Sequence, residues 1–546
     1  MYNFYFDFGL LAAADQIGAF YKDIIKLVVN NIGGMLLLCV PLILCIIFRT
    51  KINFIRSRFK FKLIIIPIVS LLVFVLFYTP KNISTDVSVI NNGVIGTFIN
   101  DFKEKEEVEL IVQEDVIEEP EEIVEEHVPQ YHTYNIDFKK AKSDRSGIQK
   151  LNDYFSSSTG TLENEYTGIF KDKNLILIMG ESFNEMAVRK DLTPNLYMMM
   201  HDGFEFSNYY STSYNSTVGG EFQLLTGMYA MSDALERWKE GTNYFPMGPG
   251  TIFKENGYSV HAYHDHAHTY MNRDKYLKSV GFDNYVGCGN GFEEHMACYI
   301  MFEEDSDMPE LTVDDYINED KFFTYYVTVS GHGPYTFDTN SNTIGSLHKD
   351  EIYEKGYEYN EKNTAYISGM IELDNMLGEI IDRLKAAGKL NDTVFVIVAD
   401  HYPYYLNVED INELTGEDRE EVVGVCENSL IIYNSATKKV KCDKAGNTMD
   451  VIATIYNLFG IDYDSRMIVG KDLFSNAPGF ALFGNGSWVS DYGVYYAHLG
   501  EFVPYENVEI PEGYFDSANS YAQSQMAMTN LIVLNDYYKY IWDYKK

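Results

Sequence analysis

Four apolar runs in the sequence each end in a short polar group. Gly180-Glu181-Ser182 follows NLILIM (174–179), and Asp400-His401 follows TVFVIVA (393–399). Gly331-His332-Gly333-Pro334 follows FFTYYVTVS (322–330), and His264-Asp265-His266 follows YSVHAY (258–263). Short continuous apolar runs of this kind read as strands buried on both faces of a parallel sheet. Ligands of open α/β sheets bind beyond the carboxyl ends of the strands. Four strands thus deliver Glu, Asp-His, His and His-Asp-His to one rim. Taken singly each group is ordinary: Glu181 could cap a helix, and a lone histidine is more often structural than a ligand. Taken together, Glu181, Asp400 and His401 offer hard oxygen donors and one imidazole. That set suits one divalent ion, Mn²⁺, Mg²⁺ or Zn²⁺, with a coordination position left open.

A hydroxyl stands in a second suggestive place. In YNSTVGGEF (214–222), Thr217 lies just before GGEFQLLTGMY, which looks helical. Free backbone N–H groups and the dipole at a helix start favour an anion. A metal-ligated hydroxyl there would have a lowered pKa and could attack phosphorus. Read locally, Ser216 or Thr217 is better taken as a simple N-cap, and only the distant acids and histidines argue otherwise.

The elements that must position these groups are legible as pattern. TPNLYMMMHDG (193–203) reads as a helix closed by glycine, and residues 363–388 as a long amphipathic helix stopped at Gly388. SLIIY (429–433) reads as a strand, and NTMDVIATIYNLFG (447–460) as a helix capped by Asn447 or Thr448 and stopped by Gly460. Strand–helix alternation from about residue 166 implies an α/β sandwich around a largely parallel sheet.

Composition bounds the partners. The chain has 546 residues and a formal net charge of -37, a field that repels nucleic acid. An anionic substrate would need a local cation, and a metal ion is the obvious one. Two stretches, Leu27–Phe48 and Leu63–Thr79, read as membrane-spanning helices. Arg49, Lys51, Arg56, Arg58, Lys60 and Lys62 between them place that loop in the cytoplasm, so everything after residue 80 is expected outside it. Residues 1–80 are therefore expected as a membrane hairpin. Between Glu104 and Glu126 there are twelve acids and one lysine, and residues 81–165 read mainly as an extended acidic stalk. Residues 166–475 read as the catalytic domain and 476–546 as a C-terminal subdomain completing it. Cys288/Cys298 and Cys426/Cys442 form two close pairs whose pairing is not deducible from spacing.

The series GESF, STVGGEF, YHDHAHTYMNRDKY, SGHGPY, ADHYPY, with GKDLFS and NGSWVSDYGVYY near the end, resembles the lipoteichoic acid synthases in order and spacing. These are membrane phosphoglycerol transferases of the sulfatase/alkaline phosphatase superfamily. The resemblance implies that superfamily's mixed, largely parallel sheet flanked by helices. It implies a metal site of Glu181, Thr217, Asp400 and His401, with Thr217 as nucleophile and Mn²⁺ as first choice of ion. His264, Met271, Arg273 and His332 match positions that line the substrate pocket. Arg273 suits a phosphate clamp, and His332 could give a proton to the leaving alkoxide. The chain departs from the family's usual pattern at Ser216, where lysine is usual, at Met271, where tryptophan is, and at Pro403, where glycine is. The implied activity moves glycerol phosphate from phosphatidylglycerol to a glycolipid or polyglycerophosphate hydroxyl at the outer face of the cell membrane. A phosphoethanolamine transferase, a phospholipid phosphodiesterase and a catalytically silent binding protein are the alternatives. Sulfate-ester hydrolysis is disfavoured, because 214–222 holds no Cys/Ser-x-Pro-x-Arg.

Overall fold

The computed structural model of the protein describes residues 110–111, 128–213, 216–298 and 302–545. All of them belong to the unit that runs from Glu107 to Lys546. The two expected spans, 27–48 and 63–79, and nearly all of the acidic run lie outside the described residues. Among the described residues no helix is long and apolar enough to cross a membrane.

The central sheet has six strands: β1 (Asn174–Gly180), β2 (Ser259–Ala267), β3 (Tyr285–Cys288), β4 (Phe322–Val327), β5 (Thr393–Ala399) and β6 (Ile431–Tyr433). Their order is β3-β2-β4-β1-β5-β6. Neighbours run parallel except β5 and β6, which are antiparallel. Four helices bear on the site: α1 (Ser216–Thr226), α2 (Arg273–Ser279), α3 (Glu361–Ala386) and α4 (Val451–Phe459).

Every residue of β1 and β5 is buried, because both faces of the sheet are covered. Alternate residues serve alternate faces. Ile176, Ile178, Phe322, Tyr326, Phe395 and Ile397 share one apolar cluster with Tyr366, Ile367, Met370 and Leu377 of α3. On the other face Phe323 packs on Phe253, which packs in turn on Tyr456 and Phe459 of α4. Tyr325 points the same way and donates its hydroxyl to Glu221 of α1. Truncating a fully buried residue such as Ile178 would cost about 2–5 kcal/mol. Helix α3 starts where the Asn360 side chain accepts from the Asn363 amide, and α4 ends at Gly460 in the left-handed conformation.

Register sets the level of the rim. Gly180 of β1 pairs with Ala399 of β5, so Glu181 and Asp400 leave the sheet side by side. Val327 of β4 pairs with Met179 on one side and His264 of β2 on the other, one rung lower.

Residues 128–165, expected as the end of a stalk, instead carry ordered structure. Ile148, Leu151, Tyr154 and Phe155 form a buried stripe on a helix over Ser146–Ser157, in contact with a helix over Tyr514–Leu534. Beyond residue 476 lies a four-stranded antiparallel sheet built around the buried Trp488, which packs on Phe480, Tyr495 and Phe502. Cys288 and Cys298 form a disulfide. Cys426 and Cys442 are buried and not disulfide-bonded to each other. Cys426 ends a turn whose carbonyl accepts from Ser211, whereas Cys442 lies on a strand paired with Phe206.

Candidate active site

The carboxyl ends of β1 and β5 bring Glu181, Asp400 and His401 together. One ligand atom from each lies within 4.8 Å of the others, and all three residues are buried. The backbone has been bent to allow this. Ser182 is left-handed (φ 55°), and its amide donates to Asp400 Oδ1 at 2.8 Å. Its hydroxyl donates to Glu181 Oε1 at 3.0 Å. The Glu181 amide donates to Thr328 Oγ1 at 2.9 Å, which fixes the turn against the β4 exit.

His401 Nδ1 donates to the Tyr402 carbonyl at 3.0 Å, leaving Nε2 toward the carboxylates. Nε2 lies 3.0 Å from Asp400 Oδ2 and 3.6 Å from Glu181 Oε1. His401 Nε2 and Asp400 Oδ2 pair as charges, but neither makes a hydrogen bond of good geometry, although both are buried. Two buried carboxylates crowd one another, so burial and the Asp400 charge push Glu181 up to about 8. His401 is raised to about 9: burial opposes its charge, and Asp400 with Glu181 overcome that. The cluster is short of positive charge and holds orphaned ligand atoms. Its donor set fits a divalent ion.

Thr217 stands on the first turn of α1, whose first residue is Ser216 rather than a residue beyond Thr217. Its Oγ1 donates to Glu181 Oε2 at 2.9 Å. Ser216 has φ 58°, a left-handed strain directly before the hydroxyl. The paired glycines of STVGG have a spatial reason: a Cβ on Gly220 would fall 2.2 Å from the Asp400 carbonyl oxygen. Gly331 likewise leaves room for the Glu181 carbonyl oxygen, 2.1 Å from where its Cβ would be. Among the expected residues, then, Glu181, Thr217, Asp400 and His401 converge.

The remaining expected residues surround this cluster at different depths. His264 is buried, and its Nδ1 donates to the Val327 carbonyl at 2.9 Å. Burial and the nearby Arg273 charge hold its pKa well below the usual histidine value. His332 Nδ1 donates to the Gly333 carbonyl at 2.5 Å, and its ring packs on Phe302 and Tyr405. Burial lowers the His332 pKa, with the carbonyl bond and Asp400 opposing and His401 adding to the lowering. Arg273 opens α2 and is 1% exposed. Its Nε and Nη2 donate to Glu221 Oε2 at 3.0 and 2.8 Å. Met271 is half-buried in a left-handed kink (φ 51°) ahead of α2. Among the described residues no hydrogen bond or ring contact joins it to the cluster.

Two neighbours carry no role assigned from sequence, which places His266 at the rim and passes over Glu221. His266, two residues beyond His264, is lowered to about 4 by burial and by Arg273, and its ring stands 5.9 Å from that of His264. Glu221 is fully buried and holds Arg273. Its place four residues after Thr217, inside an apolar helix, was the available signal.

The Sulfatase family model matches residues 173–461, a span that holds every residue just described. Lipoteichoic acid synthase 2 of Bacillus subtilis is 23% identical over 425 residues, covering 73% of this chain and 62% of that protein. Lipoteichoic acid synthase of Staphylococcus aureus is 24% identical over 432 residues, covering 75% and 64%. The chain thus spans a little under two thirds of the length of the curated relatives it matches. Among solved structures, the lipoteichoic acid synthase LtaP of Listeria monocytogenes superposes with a TM-score of 0.56 at 19% identity, covering 71% of this chain and 98% of that one. An alkaline phosphatase superfamily protein of Vibrio parahaemolyticus gives 0.52 at 20%, covering 73% and 98%. Both share the fold.

Proposed function

The chain belongs to the sulfatase family, and from that premise we propose that it is a membrane-anchored phosphoglycerol transferase acting outside the cytoplasm. The donor is phosphatidylglycerol and the acceptor a hydroxyl of a glycolipid or of a growing polyglycerophosphate. The observation that carries this reading is the 2.9 Å contact of Thr217 Oγ1 with Glu181 Oε2, beside Asp400 and His401 at a helix start. An alcohol set beside buried carboxyl groups at a positive helix end supports attack on phosphorus over capping alone.

Glu181, Asp400 and His401, with Thr217, would hold one divalent ion, Mn²⁺ before Mg²⁺ or Zn²⁺. Such an ion lowers the pKa of an adjacent alcohol and neutralises charge on phosphoryl oxygen. The rest of the chemistry belongs to the chain. Thr217 Oγ1 bonds to phosphorus while the phosphorus–oxygen bond to diacylglycerol breaks, and the departing alkoxide takes the proton that Thr217 gives up. The glycerophosphoryl group stays on Thr217. An acceptor hydroxyl then attacks the same phosphorus, gives up its proton and frees Thr217. Arg273 offsets the negative charge spread over the phosphoryl oxygens. His332, with Nδ1 bound to Gly333 and its pKa lowered by burial, is neutral at neutral pH. Its Nε2 suits carrying a proton from the attacking hydroxyl to the departing alkoxide in each step, from Thr217 to diacylglycerol and then from the acceptor to Thr217. The likeness to relatives named lipoteichoic acid synthase supports this assignment.

The test is diacylglycerol release by the full chain in mixed micelles of phosphatidylglycerol with added Mn²⁺. Release that disappears in Thr217→Ala supports transfer. Release from phosphatidylethanolamine alone would move the assignment to a phosphoethanolamine transferase. No release from any phospholipid would leave a binding protein.

A further inference from the structure

We propose that Glu221 is a positioning residue, holding the Arg273 guanidinium so that its Nη1 faces the phosphoryl group. This rests on the transfer reading above. Glu221 Oε2 accepts from Arg273 Nε and Nη2 and, at 2.6 Å, from the Tyr276 hydroxyl, while Oε1 accepts from Tyr325 at 3.2 Å. One carboxylate takes four donors, and both partners of the ion pair are buried. Yet Arg273 Nη1, equally buried, has no hydrogen-bond partner. A guanidinium cannot shed that proton. The Tyr285 hydroxyl interacts with Arg273 but, like Nη1, makes no well-formed hydrogen bond, and an ion pair kept only for stability has no reason to leave such buried polar atoms bare. Arg273 also depresses the pKa values of His264 and His266, so its charge is felt in the pocket.

The chain explains why such a brace is needed. Arg273 follows two left-handed residues, Met271 (φ 51°) and Asn272 (φ 63°), a kink that does not itself fix the side chain. Glu221 sits on α1, one turn after Thr217 and on the same face. The nucleophile and the brace of the clamp therefore ride on one helix. Their spacing is set by a helical turn rather than by two loops.

The experiment is a double-mutant cycle on the full chain, with Glu221→Gln, Arg273→Met and the pair combined. Diacylglycerol release from phosphatidylglycerol and calorimetric binding of glycerol phosphate are both read. Glu221→Gln should lower kcat/KM by about a hundredfold, the order expected when a catalytic group is misplaced. In the Arg273→Met background the same change should add less than twofold, since Glu221 would act only through Arg273. The pair also removes the lone buried charge, so it tests the idea if Glu221→Gln alone folds poorly. Losses that multiply in the double variant, or a Glu221→Gln enzyme within twofold of wild type, would overturn the proposal. If wild type releases no diacylglycerol, the transfer reading fails by itself. Glycerol phosphate binding then decides on Glu221: weakened by Glu221→Gln only when Arg273 is present, or refuted.

Discussion

Thr217 and Glu181 are 36 residues apart in sequence and joined by a 2.9 Å hydrogen bond from hydroxyl to carboxylate. If that hydroxyl is the nucleophile, the first product is covalent. Rapid quenching with phosphatidylglycerol should leave one glycerophosphoryl group on the peptide that carries Thr217, read by mass spectrometry. Thr217→Ser should keep the adduct. Thr217→Ala should lose it, with turnover down by on the order of 10⁴ or more. The alanine variant should stay folded, because the lost bond is worth about 1 kcal/mol. An adduct on any other residue would sink the assignment.

Removal of divalent ions offers a second reading of the same cluster. Dialysis against a chelator should abolish diacylglycerol release, and refilling with Mn²⁺, Mg²⁺ or Zn²⁺ in turn should rank the ions. An ion at a hundred times its Kd stabilises the fold by about 2.7 kcal/mol. The melting temperature should therefore rise on refilling, and Asp400→Asn should erase that rise. Binding should weaken in acid, since carboxylate and imidazole ligands must give up their protons. A melting temperature blind to all three ions would count against a metal centre here.

Much of this was readable before the structure because buried parallel strands announce themselves as apolar runs. Glu181, His332 and Asp400-His401 follow such runs directly, and the level pairing of Gly180 with Ala399 explains why two of those groups meet. Thr217 was ambiguous, since a hydroxyl at a helix start has two uses and sequence cannot place a carboxylate 36 residues away against it. Glu221 was hidden for a related reason: its partner, Arg273, lies 52 residues further on. The helix over Ser146–Ser157 was masked by the acidic run before it, although its Ile148, Leu151, Tyr154 and Phe155 spacing was a fair helical signal.

The close passage of α1 over the Asp400 backbone gives a steric prediction. A Cβ on Gly220 would meet the Asp400 carbonyl oxygen at 2.2 Å and the Asp400 Cα at 2.6 Å, and backbone cannot rotate aside. Gly220→Ala should cost about 1–3 kcal/mol. It should cost far more in activity than in stability, because the group displaced carries a ligand. Gly388→Ala is the control: Gly388 has φ +71° with nothing within 4 Å of its Cβ position. That change should cost about 1 kcal/mol of backbone strain and leave kcat unchanged. Equal activity losses in the two variants would show that Gly220 has no special relation to the site.

His332 sets the expected acid limb of the pH profile. Burial lowers its pKa from 6.5, more than the Gly333 carbonyl and Asp400 raise it. The neutral ring is the form that can accept the acceptor hydroxyl's proton, so protonation removes function. At saturating metal, kcat/KM for the acceptor should hold steady down to pH 6.5. Below that, as the lowered pKa is crossed, it should fall with the slope of a single proton. His332→Gln should cut the rate by about 10²–10⁴ and abolish that limb. Metal affinity measured at each pH separates this limb from protonation of Glu181, Asp400 or His401. A limb that survives unchanged in His332→Gln would assign the proton to another group and leave His332 a packing partner of Phe302 and Tyr405.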